Sequence, residues 1–156
     1  MDLTKLQAEM TADPLSRGYA DKADSLIAES LNEPNRPGRK VVPASDVRRF
    51  VLLNGIWPRI AALAQNPEDQ EVQGVAITIL QTLAPNSFDE IRMDDPEVTG
   101  AVSYMLGVMV SAGAMTTAQR SSMLAMGDTL VSRAQEIGLP PVHHLDVAAA
   151  RALNAE

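Results

Sequence analysis

Apolar residues recur along most of this chain at steps of three and four, the spacing that lines one face of an α-helix. The clearest stripe is Val72, Val75, Ala76, Ile79, Leu80 and Leu83, opened by Asn66-Pro67-Glu68-Asp69 and ended by Ala84-Pro85-Asn86. Upstream, the spacing predicts a helix from about Leu3 to Ala12, with Leu3, Leu6 and Met10 on one face and Pro14 as its stop. A second runs from about Lys22 to Leu31 and buries Ala23, Leu26, Ile27 and Leu31, with Asp21 and Asp24 at its positive end. Ser45 caps a third, whose apolar residues are Val47, Phe50, Val51 and Leu53 while Arg48 and Arg49 face outward. Gly55 interrupts it, and Ile56-Trp57-Pro58 opens another through Ile60, Ala61, Leu63 and Ala64, since proline is accepted in a first helical turn.

Downstream, Asp95-Pro96 starts a helix with Val98, Val102, Met105, Leu106 and Met109 on one face. Gly100, Ser103, Gly107 and Ser111 form a small-residue ridge on another face, which predicts close approach of a second helix. The uncharged run from Val98 to Gln119 is long enough to raise a membrane span. Its glycines, its five Ser and Thr residues and a turn at Ser111-Ala112-Gly113 indicate a buried helix instead. Thr116 to Gln119 fits a capping box for a short helix reaching Gly127. Asp128 or Ser132 starts the next, which stops at Gly138 before Pro140-Pro141, and a last helix spans about Leu145 to Leu153.

Alternating runs are short, and only Lys40-Val41-Val42, pinned between Pro37 and Pro43, reads as extended. The expected fold is therefore all-α, a compact bundle of about eight or nine short helices with no sheet. Residues 32–44 hold three prolines and a glycine in thirteen positions, the composition of a loop or arm. The expected organisation is an N-terminal helical pair over 1–33, a proline-rich basic arm or linker over 34–44, and the main helical bundle over 45–156.

A chain of 156 residues, 46% hydrophobic, buries enough surface to fold without a staple. Cysteine is absent, which removes disulfides, thiolate nucleophiles, zinc fingers and iron–sulfur clusters together. The opening Met1-Asp2-Leu3-Thr4 lacks the basic and apolar regions of an export signal, so secretion by that route is not expected. Charge changes the picture further. Thirteen Lys and Arg stand against twenty Asp and Glu, for a formal charge of −7. Between Asn35 and Phe50, five basic residues meet one acid, Asp46, for +4; the remaining eight basic and nineteen acidic residues carry −11. An acidic body repels nucleic-acid phosphates at long range. A basic strip on such a body suits an acidic face on another subunit, including a neighbour in a homo-oligomer or ring.

Candidate chemistry is sparse. His143 and His144 are adjacent, so on a helix start they point about a hundred degrees apart and cannot readily share one metal. The acidic run Asp89, Glu90, Asp94, Asp95 and Glu97 offers oxygen ligands for a hard cation but lacks calcium-loop spacing, and a helix start already accounts for Asp95 and Glu97. Phosphate-binding loops, nucleophile elbows and zinc-protease pairs do not occur. No catalytic residue, metal or cofactor is expected. Aromatic and arginine side chains dominate binding hot spots, which makes Tyr19, Arg36, Arg39, Lys40, Arg48, Arg49 and Trp57 the candidate partner-binding residues.

The segments Ala12-Asp13-Pro14-Leu15-Ser16-Arg17-Gly18-Tyr19-Ala20 and Asp46-Val47-Arg48-Arg49-Phe50-Val51-Leu52-Leu53-Asn54-Gly55-Ile56-Trp57 resemble small uncharacterised proteins encoded among the virion genes of tailed bacteriophages and prophages. Ser132 to Leu139 and Asp146 to Arg151 are similar as well. Where related chains continue the first motif with a glycine and a Thr-Asp-Ala-Glu helix start, this one has Asp21-Lys22-Ala23-Asp24. The resemblance implies a gene neighbourhood, and hence a non-enzymatic virion structural protein of the head, neck or tail, made in the bacterial cytoplasm and docked in several copies on other phage structural proteins. It carries over no catalytic residue. The expected contacts exclude membrane and limit nucleic acid to the periphery of the basic arm. The alternative is a phage-encoded assembly factor, or an acidic inhibitor of a host protein, that stays outside the particle.

Overall fold

The computed structural model describes residues 1–153. In chain order its helices are α1 (Leu3–Ala12), α2 (Asp24–Asn32), α3 (Ala44–Leu53), α4 (Trp57–Ala64), α5 (Gln70–Thr82), α6 (Pro96–Ser111), α7 (Thr117–Ala125), α8 (Arg133–Glu136) and α9 (His144–Ala152), with a single 3-10 turn at Tyr19–Asp21. Four short strands accompany them: β1 (Arg36–Arg39), β2 (Val41–Pro43), β3 (Glu90–Arg92) and β4 (Asp128–Val131). β1 pairs with β4, and β2 with β3. The expectation of a sheet-free bundle is thereby corrected. Strands of three or four residues are too short to display an alternating pattern, and their partners lie far away in sequence: Val42 faces Ile91. Prolines at 37 and 43 fit because two-stranded sheets consist only of edges, where a missing N–H is tolerated.

The chain forms two compact units, one of residues 1–38 with the chain from Leu130 onward, the other of residues 39–129. The division falls at 38/39 and 129/130.

In the first unit, α1, α2, α8 and α9 close over Leu6, Tyr19, Ile27, Leu31, Val142 and Val147. Asp2 caps α1, its carboxylate accepting the Lys5 N–H at 3.0 Å. Long-range polar contacts tie the chain ends together. Asn32 brackets Val142, donating to its carbonyl at 2.7 Å and accepting its N–H at 2.9 Å. Arg151 donates to Asp24 at 2.7 Å and to the carbonyls of Tyr19 and Lys22 at 2.9 and 2.8 Å. Gly138 ends α8 at φ +70°, a conformation in which glycine avoids the Cβ strain, and Leu139 N–H then reaches the Ala134 carbonyl at 2.8 Å.

In the second unit, α3 to α7 and the β2–β3 pair surround Val51, Ile56, Ile60, Ala76 and Met109. α4 and α5 pack as an antiparallel hairpin through the turn at residues 65–69, where Asp69 caps α5 by accepting the N–H groups of Glu71 and Val72, each at 3.1 Å. Asp95 and Pro96 open α6 as expected, and the Thr116–Gln119 capping box opens α7 through reciprocal bonds of 3.1 and 2.8 Å. Among the described residues no helix is long and apolar enough to cross a membrane. Along the small-residue ridge of α6, a Cβ added at Gly100 or Gly107 would meet nothing within 4 Å, while Ser103 accepts from the Arg120 guanidinium of α7 at 2.7 Å.

Candidate docking surfaces

The seven candidate partner-binding residues are divided between the two units. Tyr19 and Arg36 lie in the first unit; Arg39, Lys40, Arg48, Arg49 and Trp57 lie in the second. Tyr19 is interior, 1% exposed. Arg36 is ion-paired with Glu136, and Arg39 with Asp128, while Arg39 also donates to the Leu124 carbonyl at 2.8 Å. Arg48 is half-buried and donates to the Ala84 carbonyl at 3.1 Å. Trp57 packs partly buried against the core. The positive charge seen in the sequence is thus largely engaged within the fold, and Lys40 and Arg49 are its exposed members.

The interior position of Tyr19 has a measurable consequence. Its hydroxyl is buried without a hydrogen-bond partner, and burial pushes the phenol above its ordinary value. The unfolded chain therefore releases this proton first. The contribution of Tyr19 is complete below about pH 10 and declines as pH rises beyond it toward the folded-state value. Tyr19→Phe is expected to flatten that alkaline decline and to raise stability near neutrality by about 1 kcal/mol, because an uncompensated buried hydroxyl is removed. Chemical denaturation of both proteins across the alkaline range measures it; an unchanged slope contradicts it.

The histidines serve a helix start. The backbone N–H of His143 donates to the Asp146 carboxylate at 2.8 Å at the head of α9, and both histidines are exposed. The acidic run is likewise distributed: Asp94 pairs with Arg92 at 3.0 Å, an interaction that holds its carboxyl below the usual carboxylate range, and Asp95 caps α6. Among the described residues no three His, Asp or Glu side chains are placed to hold a metal ion.

Three surface features of the second unit were not legible in advance. An open cleft of about 710 Å³ beside α6 is lined by Asn66, Asp69, Glu71, Tyr104 and Ser111. Its two carboxylates are already engaged, Asp69 at the α5 N-terminus and Glu71 by the Tyr104 hydroxyl. A second, apolar groove of about 480 Å³ runs between β3 and α6, lined by Phe88, Ile91, Val98, Ala101, Val102 and Met105. Phe88 stands 58% exposed at its edge. The third feature is the outer face of α3, where Arg49 is exposed and Leu52 and Leu53 are 61% and 80% exposed at i+3 and i+4 from it. Leu53, counted from the spacing among the apolar residues opposite Arg49, is exposed instead, because α3 carries apolar residues on more than one face. Comparison with protein-family models, with curated proteins and with solved structures finds no match to this chain.

Proposed function

We propose that this chain is a non-enzymatic structural protein of a tailed-bacteriophage virion, seated in the head, neck or tail and held there in several copies by protein–protein docking. The observation that carries the reading is the outer face of α3. Two leucines and an arginine, Leu52, Leu53 and Arg49, project from one helix face into solvent. Apolar side chains rimmed by arginine match the composition of interface cores, and a helix ridge of this kind seats in a groove on a neighbouring subunit. The motifs around Asp13-Pro14 and Asp46 to Trp57, which resemble virion-gene products, support the same assignment.

Mass spectrometry of purified particles tests it. The wild-type chain is expected in stoichiometric amounts relative to neighbouring structural proteins. A Leu52→Asp, Leu53→Asp double variant keeps its fold by circular dichroism, since both side chains are already in water, while its incorporation falls at least about tenfold, the effect expected of placing two unpaired carboxylates in an apolar interface. Particles that lack the wild-type chain while neighbouring products are abundant, or that take up the variant undiminished, overturn the proposal.

A further inference from the structure

β3 has one edge paired and one edge open. On the paired side Val42 lies opposite Ile91, Val41 opposite Arg92, and the Ala44 N–H donates to the Asp89 carbonyl at 2.9 Å. Hydrogen-bonded pairs in an antiparallel ladder recur at every second residue, so residues 89 and 91 direct their backbone groups at β2. Glu90 and Arg92 consequently direct theirs away from β2, and among the described residues no further strand lies on that side. The Arg92 carbonyl accepts the Asp95 N–H at 3.0 Å and retains a second lone pair.

The charges on this edge are self-complementary, and Arg92, although it pairs with Asp94 of its own chain at 3.0 Å, keeps 64% of its side chain exposed. Glu90 and Arg92 are exposed on one face of β3, and Ile91, between them, turns to the other. When a second β3 is laid antiparallel with Ile91 opposite Ile91, Glu90 faces the second copy's Arg92 and Arg92 faces its Glu90. Both are the hydrogen-bonding pairs that the backbone direction requires, and both unite opposite charges. Shifting the register by two residues in either direction sets Glu90 against itself or Arg92 against itself, which is repulsive. Ile91 of the second copy falls on the face where Val98, Ala101, Val102 and Met105 line the groove, so the same docking covers apolar surface.

We propose that a second copy of this chain docks on the open edge of β3, joining two β2–β3 pairs into one four-stranded antiparallel sheet across a two-fold axis. The interface is isologous, so each copy gives and receives the same contacts. This dimer goes beyond the virion assignment: it is tested on the purified chain, whereas that assignment is tested on particles, and either can fail alone.

Sedimentation equilibrium of the purified full chain across micromolar to millimolar concentrations is expected to show a monomer–dimer equilibrium. Glu90→Arg places like charges opposite at both pairs and weakens the dimer about tenfold or more, as does Arg92→Glu. An equimolar mixture of the E90R and R92E chains restores wild-type strength, because each Arg-Arg edge then meets a Glu-Glu edge. Circular dichroism verifies that both variants fold, as expected for exposed positions. A wild-type chain that stays monomeric throughout, a dimer indifferent to E90R, or a mixture as weak as its separate components overturns the proposal.

Discussion

Arg133→Met is expected to lower the stability of the first unit by about 3–5 kcal/mol, the loss typical when one partner of a buried ion pair is removed. Arg133 reaches Glu9 with two parallel bonds, Nε to Oε1 and Nη2 to Oε2, each 2.7 Å, and its Nη1 meets Glu136 at 3.0 Å. The Glu9 side chain is 6% exposed and that of Arg133 15%. Bonds from Glu9 and Glu136 raise the guanidinium further above its already high ordinary value, so it stays charged under all ordinary conditions. Methionine in its place leaves the Glu9 carboxylate buried without a counter-ion. The double variant Glu9→Leu, Arg133→Met removes both charges and is expected to recover most of the loss, because a buried pair contributes little beyond its own desolvation. Urea denaturation of the single and double variants measures this, and a double variant as unstable as the single one contradicts it.

The same network sets an acid limb. Hydrogen bonding to Arg133 holds the Glu136 carboxyl below its ordinary value, with Arg36 adding to the effect. The unfolded chain therefore takes up this proton first as pH falls. The contribution of Glu136 is complete above about pH 4.3 and is lost as pH drops through the lower folded-state value. R133M should shrink that pH dependence as well as the stability, which a loss of packing alone does not do.

Met109→Ala is expected to cost the second unit about 2–5 kcal/mol. Met109 is 0% exposed in the last turn of α6, within a core that includes Leu106, Ala114 and Met115. Truncation removes its transfer free energy and leaves a cavity that α5 and α6 cannot close without disturbing Ala76 and Ile79. Met109→Leu nearly conserves volume and should cost less than about 1.5 kcal/mol. Amide hydrogen exchange in α5 and α6, alongside chemical denaturation, reads both changes. A loss in M109A no greater than in M109L shows that this position is less tightly packed than its burial indicates.

Local chemistry made much of this fold legible. α1 starts after a capping aspartate and ends before Pro14, α6 opens at Asp95-Pro96, and α7 opens on Thr116 and Gln119. Each signal acts between residues at most four apart, where side chain and backbone satisfy one another without help from the rest of the chain. Of the strands only β2 was foreshadowed, by the extended Lys40-Val41-Val42 between two prolines; the others and every pairing were illegible for the converse reason. β2 and β3 are held by partners about fifty positions away, and three residues carry too little alternation to announce them. The engagement of the candidate surface residues is not a local matter in this sense. A cationic residue in the sequence looks the same whether it faces solvent, as Arg49 does, or Glu136, as Arg36 does.

Helix positions, the absence of cysteine chemistry and the uneven distribution of charge were therefore settled by the amino-acid order itself, since propensity, capping and composition are local or additive. Tertiary structure alone decided that α8 and α9 join α1 and α2, through Glu9 with Arg133 and Asn32 with Val142. It also decided that Tyr19 is interior and that β3 keeps an open edge beside an apolar groove. These are pairings between distant segments, and their free energy exists only once the loops between them have closed.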